Sequence, residues 1–219
     1  MTEETQYYSH VRDDILSHVP KGVRRVLSVG CGRGCTEAEL VARGVEVTGV
    51  ELNPDAAKVA SQAGINVICG DASENSAALA AGPPFDCLIY ADVLEHIQDP
   101  ESVLKDHLKF LVPGSIVIVS VPNFRHYSVF SQLFLKGHIR YTDAGILDRT
   151  HVRMTTRRMI EEWFAGVGLA VTKIEYRIYR RRDRLLSMLS FGWLREFLAS
   201  QVIIVGQGHG KSPMVTPHT

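Results

Sequence analysis

The sequence predicts an α/β fold, a mostly parallel sheet with helices on both faces. Three observations carry that expectation. Five short apolar runs between Val26 and Asn123 alternate with helix-forming segments, the order that produces a parallel sheet covered on both sides. One of them, "FDCLIYAD" (85–92), is nearly continuous in apolar residues, as a strand buried on both faces is. After a long connection the alternation gives way to two more strand-like runs near the end of the chain.

Val26–Val29 is a β-branched and leucine run that stops at Gly30, a strand entering a tight turn. "CTEAELVARG" follows as a helix, with Ala38, Leu40 and Val41 apolar and Gly44 as its stop. "VEVTGVEL" (45–52) is the second strand. "NPDAAKVASQAG" then has Asn53 to cap a helix, Pro54 at its first position and Gly64 beyond its end. "INVICGD" (65–71) and "FDCLIYAD" are the third and fourth strands. "DPESVLKDHLKFLVPG" reads as a helix capped by Asp99 and running to Pro113-Gly114, ahead of a fifth strand, "SIVIVSVPN" (115–123). Residues 124–154 are a long connection, and "TTRRMIEEWFAGVG" is a helix capped by Thr155 or Thr156. "LAVTKIEYRIY" (169–179) and "QVIIVGQ" (201–207) are the last strands, and the tail "GHGKSPMVTPHT" lacks apolar periodicity.

A chain of 219 residues with 45% hydrophobic content can bury one core. Residues 1–207 are therefore expected to form one domain, with 208–219 as a mobile tail. No window approaches ~18 uninterrupted apolar residues, which excludes a spanning helix. The polar, acidic start "MTEETQYYSHVRDD" is unlike a secretory signal. Cys31, Cys35, Cys69 and Cys87 show no C-x-x-C spacing, so reduced thiols and a cytoplasmic location are expected. The net charge of zero conceals an asymmetry: 17 acidic against 9 basic residues up to 124, and 7 against 15 after it. Surface charge neutralised across the fold explains this, as does a second half facing something anionic.

"VLSVGCGRGC" poses the ligand question. Gly30, Gly32 and Gly34 alternate, so the spacing differs from the dinucleotide fingerprint G-x-G-x-x-G, and the phosphate-loop pattern is absent. Glu51 ends the second strand, where a carboxylate can accept both hydroxyls of a ribose. Asp71 follows the third, placed to accept from an adenine amino group beside the Ala72 amide. In an open α/β sheet, ligands sit beyond the carboxyl ends of the strands, where strand order reverses.

In order along the chain, "VLSVGCGRG", "VTGVELNP", "CGDA", "FDCLIYADVLEH" and "LVPGSIVIVSVPN" resemble the class I S-adenosylmethionine-dependent methyltransferases. The branch they resemble lies near the ubiquinone-type O-methyltransferases and those of glycan and natural-product clusters. The likeness spans roughly 7–206. It implies a Rossmann-like sheet of seven strands with an antiparallel last strand, and S-adenosylmethionine as cofactor without a metal. It also implies that Gly30, Cys31, Gly32 and Gly34 approach the methionine part of the cofactor and that Glu51 and Leu52 hold the ribose. Asp71 and Ala72 would then read adenine, while Tyr90, Ala91 and Asp92 would lie near the amino group. Tyr8 and Arg12 are candidates for the cofactor's carboxylate. Ser28 stands where the family usually has an acid, with Thr36 or Asp92 to compensate.

Methyl transfer to a hydroxyl benefits from a positioned base, and histidine titrates near working pH. His151, in "DRTHVRMTT", and His126, in "PNFRHYS", are the candidates. His96 is expected to fasten the loop beneath the cofactor. Asn123, Arg125, Asp148 and Arg153 share the expected rim, in a cover formed by 1–20 and 123–155. The expected acceptor is a small hydroxyl compound, a sugar or glycan-pathway intermediate with an anionic or carrier-linked portion. Transfer to an amine and cofactor binding without catalysis are the other readings. "RIYRRRDR" and the apolar "LLSMLSFGWLREFLA" form an insert over 180–199, read as a helix packing on the sheet or on a second subunit, or as a membrane contact. The basic cluster has few interleaved aromatics, which argues against nucleic acid. Monomer and homodimer are both compatible with the sequence.

Overall fold

The computed structural model describes residues 10–208. A single sheet of seven strands runs through it: β1 Arg25–Val29, β2 Glu46–Glu51, β3 Asn66–Cys69, β4 Phe85–Ala91, β5 Leu111–Pro122, β6 Leu169–Arg177 and β7 Gln201–Gly208. Their order is β3-β2-β1-β4-β5-β7-β6. β1 to β5 pair in parallel, and β7 lies antiparallel between β5 and β6. Residue 208 belongs to β7, and the rest of the expected tail, 209–219, lies outside the described residues.

Successive side chains of a strand point to opposite faces, and here both faces are buried. Val26, Cys87, Ile89, Ile118 and Ile203 pack on one side with Ile15, Leu40 and Ala60. Leu27, Leu88, Tyr90, Val117, Val119 and Ile204 pack on the other with Leu104, Ile160 and Phe164. The covering helices are α1 Asp13–Leu16, α2 Cys35–Ala42, α3 Pro54–Gln62, α4 Ser76–Ala80, α5 Pro100–Leu108 and α7 Arg157–Gly166. Asn53 caps α3, its side chain accepting from the Asp55 and Ala56 amides, with Pro54 first. Asp99 caps α5 by accepting from Ser102 N–H. Thr156 caps α7, while the Thr155 hydroxyl donates to the Pro122 carbonyl instead.

Two expectations are corrected. α5 stops at Leu108, short of Pro113-Gly114, because Phe110 and Leu111 are drawn into pairing with Phe85 at the start of β4. The connection after β5 is partly helical: α6 Tyr127–Phe130 runs into one wide turn, Ser131–Leu135. The insert holds α8 Arg181–Leu189 and α9 Arg195–Leu198.

Gly206 of β7 lies beneath Phe164 of α7, where an added Cβ would come within 2.5 Å of the ring. Phe164 is fully buried and the interior is close-packed. Gly206→Ala is expected to cost about 1–3 kcal/mol in a denaturant titration, and Phe164→Leu on that background to recover part of the loss. An unchanged midpoint would contradict this packing.

Candidate active site

Strand order reverses between β1 and β4, and a cavity of about 780 Å³ opens beyond the carboxyl ends of the strands there. The loop after β1 forms its floor. Gly30, Gly32 and Gly34 take φ of 70°, 55° and 75°, left-handed backbone that glycine adopts without penalty. Gly30 N–H donates to the Val50 carbonyl at 2.7 Å, and Gly32 N–H to Glu51 Oε2 at 2.7 Å. Glu51 Oε1 accepts from Asn53 N–H at 2.9 Å. The carboxylate is thus fixed at the wall, and each oxygen keeps a lone pair for a ligand hydroxyl. Gly30, Cys31, Gly32, Glu51 and Leu52 all line the cavity.

Ala91, the last residue of β4, and Asp92 after it line the same cavity. Asp92 holds a φ of 59°, uncommon for a residue with a side chain, and is secured from three directions. Arg12 Nη1 donates to it at 2.5 Å, Gln201 Nε2 at 2.5 Å and the Ser120 hydroxyl at 3.2 Å. Arg12 is committed in turn to Asp14, through Nε at 2.9 Å. Burial opposes the charge on Arg12, but Asp92 and Asp14 outweigh it and keep the guanidinium protonated. Arg12 therefore pins the N-terminal segment to the ends of β4, β5 and β7.

Beside Ser28 of β1 lies an acid from α2. The Ser28 hydroxyl donates to Glu37 Oε1 at 2.6 Å, both residues are buried, and Glu37 lines the cavity with Thr36. Burial raises the Glu37 carboxyl above its ordinary value, against the Ser28 hydrogen bond that lowers it. Sequence reasoning missed Glu37. The available signal was the serine itself, a buried hydroxyl in need of an acceptor.

Glu95, His96 and His151 close the far wall. His151 Nδ1 lies 3.3 Å from the Ile146 carbonyl and His96 Nδ1 3.2 Å from that of Thr150, so both rings spend Nδ1–H on backbone and leave Nε2 free. The rings meet edge to face with centroids 4.9 Å apart, and His151 Nε2 is 4.0 Å from Glu95 Oε1. Glu95 is 1% exposed, and its Oε2 has no hydrogen-bond partner among the described residues. Burial, reinforced by the charge of Asp92, pushes its carboxyl well above the usual range. Burial and then His96 lower the His151 pKa, leaving a neutral imidazole at neutral pH. One ligand atom from each of the three lies within 4.8 Å of the others, a spacing too wide for a hydrogen bond and compatible with a metal ion. Asp148 shares this wall and accepts from Thr150 N–H at 2.8 Å.

Other expected site residues are placed elsewhere. His126 caps α6, its Nδ1 held by Ser128 N–H and hydroxyl. Asn123 is fully buried, with Nδ2 donating to the Glu196 and Ala199 carbonyls and Oδ1 accepting from Arg125 N–H. Arg125 pairs with Glu196 at 2.8 Å and lies over the Phe197 ring. None of the three lines the cavity. Gly34 turns away from it to pack against Ile65 and Ala60. Tyr90 points into the core, its hydroxyl 2.5 Å from His107 Nδ1. Asp71 and Ala72 lie off the wall: Asp71 accepts from Ser73, and the Ala72 carbonyl is 3.0 Å from His107 Nε2. Arg153 lines a small adjoining cleft with His151 and Asp148 and donates to the Gln98 carbonyl. Tyr8 lies outside the described residues.

A family model described as a methyltransferase domain matches residues 3–174. A ubiquinone biosynthesis O-methyltransferase from Xylella fastidiosa is 30% identical over 191 residues, covering 83% of this chain and 76% of that one. A relative of the same name from Psychrobacter cryohalolentis is 33% identical over 133 residues, 57% of this chain and 51% of its own. Among solved structures, a SAM-dependent methyltransferase from Archaeoglobus fulgidus superposes with a TM-score of 0.65 at 21% identity, covering 94% of both chains. A plantazolicin methyltransferase crystallised with S-adenosylhomocysteine gives 0.58 at 15%, over 85% of this chain and 77% of that one. The cavity lies where such folds bind ligands, has room for a nucleoside and a small acceptor, and carries a fixed carboxylate beside a glycine turn. The chain belongs to the class I S-adenosylmethionine-dependent methyltransferases, enzymes whose methyl donor is S-adenosylmethionine.

Proposed function

We propose that this enzyme methylates a hydroxyl oxygen of a small acceptor, with His151 as the base. The observation that carries the reading is an imidazole on the cavity wall whose Nδ1 is spent on the Ile146 carbonyl, so that Nε2 is left to take a proton, and burial favours its neutral form. The names of the curated relatives also favour transfer to oxygen. For the acceptor we favour a sugar or glycan-pathway intermediate, because Asp148, Thr150 and His96 give this wall several groups able to hold hydroxyls.

S-adenosylmethionine supplies, when bound, a sulfonium methyl open to in-line displacement, a reaction that alignment accelerates strongly. In this reading Glu51 accepts the ribose hydroxyls and the glycine turn admits the methionine part. Glu37, steadied by Ser28, takes the place of the absent strand-end acid and faces the cofactor's ammonium group. Arg12 acts as a positioning residue for Asp92. A role for Asp71 and Ala72 at the adenine requires Asp71 to exchange its Ser73 hydrogen bonds for the ligand. The acceptor hydroxyl gives its proton to His151 Nε2, and the resulting cation is stabilised by Asp148 and Asp92, the charges that favour its protonated form.

The pH profile, two histidine variants and chelation test this reading. Because burial lowers the His151 pKa, the base form persists through neutrality, and kcat should fall only below the ordinary imidazole range. His151→Ala should lose on the order of a hundredfold or more in kcat, whereas His126→Ala should lose a helix cap and keep its rate. Activity should also survive exhaustive chelation. Full activity in His151→Ala would favour an amine acceptor, and loss on chelation restored by a divalent ion would transfer the role of this cluster to a metal.

Calorimetry separates the two ends of the cofactor. Glu37→Gln should weaken S-adenosylmethionine binding about tenfold or more, the scale of a hydrogen bond to a charged group, and leave adenosine binding unchanged. Glu51→Gln should weaken both. Equal losses for both ligands in Glu37→Gln would remove Glu37 from the amino-acid end.

A further inference from the structure

Helix α8 is built inside out. A surface helix ordinarily turns its apolar stripe to the core and its polar residues to water. In α8 the buried positions are Asp183 and Ser187, one turn apart, while Leu185, Leu186, Met188 and Leu189 are exposed. The turn that follows continues the pattern: Phe191 is 100% exposed and Trp193 88%. In α8 this rules out the expectation that the apolar side of the insert packs on its own sheet, whereas Leu198 and Ala199 at the insert's end are buried.

A second apolar segment is tied to the first. Phe130 and Phe134 stack with centroids 4.4 Å apart, and both are exposed. Tyr127, at the head of α6, accepts from Arg182 at 2.7 Å and Arg180 at 3.3 Å and donates to Asp183 at 3.4 Å. Arg180, Arg181, Arg182 and Arg184 are all exposed beside this surface, and the one acid among them, Asp183, is buried. Large apolar patches on soluble proteins mark interaction sites, and this one is bordered by a single sign of charge.

That charge selects the partner. A two-fold contact with a second copy would set the same arginines against one another, a like-charge juxtaposition that costs affinity. A surface of anionic lipid accepts both parts, aromatic and leucine side chains at the acyl boundary and guanidinium groups at the phosphates. We propose that the face formed by α8, the Phe191–Trp193 turn and the Phe130–Phe134 pair docks on an anionic bilayer. No helix among the described residues is long and apolar enough to cross a membrane, so the contact is peripheral. Tyr179 lines the cavity and immediately precedes the arginine run, which sets the docked face beside the active site. The inference does not depend on which acceptor the enzyme uses.

Sedimentation of the full chain with vesicles of phosphatidylglycerol and phosphatidylcholine, against phosphatidylcholine alone, tests it. Binding should require the anionic lipid and weaken as salt rises. Phe191→Ser with Trp193→Ser should reduce the partition on the order of tenfold or more, and Arg181→Gln with Arg184→Gln about thirtyfold. Both pairs lie on the exposed surface, and S-adenosylhomocysteine binding by calorimetry should be unchanged in each, establishing that they fold. Failure of the wild-type chain to bind anionic vesicles at low salt would overturn the proposal, as would undiminished binding by both variant pairs. It would also be overturned if light scattering showed a dimer that Phe191→Ser with Trp193→Ser dissolves while vesicles are ignored, which would make this face a subunit interface.

Discussion

Two neighbouring parallel strands whose connections leave to opposite sides cannot have their carboxyl ends covered by either connection. That constraint acts between β1 and β4, and the rest of the site depends on it. The glycine turn after β1 and Asp92 after β4 stand on the two sides of the resulting crevice. Left-handed backbone occurs on both, by glycine on one and by a triply bonded aspartate on the other. The chain closes the remaining sides with segments distant in sequence: Arg12 from the start, His151 from the connection after β5, and Gln201 from the start of β7.

The charge asymmetry between the halves of the chain resolves into two populations. Several arginines neutralise acids within the fold: Arg177 reaches Asp14 and Glu175, Arg157 reaches Glu161 and Glu196, and Arg125 reaches Glu196. The group from Arg180 to Arg184 is different in kind, since its members remain at the surface beside exposed leucines and aromatics. Charge neutralised across the fold thus accounts for the first population, and the docking proposed for the insert concerns the second.

The fold was legible because its signals are local. Apolar runs, Asn53-Pro54 and Asp99-Pro100 caps, and glycine stops each act within a few residues, and the strands and main helices lie where those signals put them. Where a long-range pairing competed with a local pattern, the pairing prevailed, as when Leu111 left the expected end of α5 to join β5 beside Phe85. The floor of the site was legible for the same reason, since Glu51 ends a strand and Gly30, Gly32 and Asp92 lie just beyond strand ends. Its walls were not. His126, Asn123 and Arg125 have the chemistry of a rim, but their polar atoms are consumed by a helix cap, two buried carbonyls and Glu196. Glu37 was invisible because its placement depends on a hydroxyl on an adjacent strand, and no spacing in the chain records that contact. Glu95 likewise stands out only through its burial.

The central claim is that the crevice holds the methyl donor with its ribose at Glu51 and its amino-acid end at Glu37. A crystal structure of the protein with S-adenosylhomocysteine tests this most directly. The expected result is the nucleoside in the crevice, its ribose hydroxyls on Glu51 and its ammonium group within hydrogen-bond distance of the Glu37 carboxylate. Cofactor bound with its amino-acid end directed away from Glu37 and Ser28, or bound outside the crevice between β1 and β4, would contradict the account.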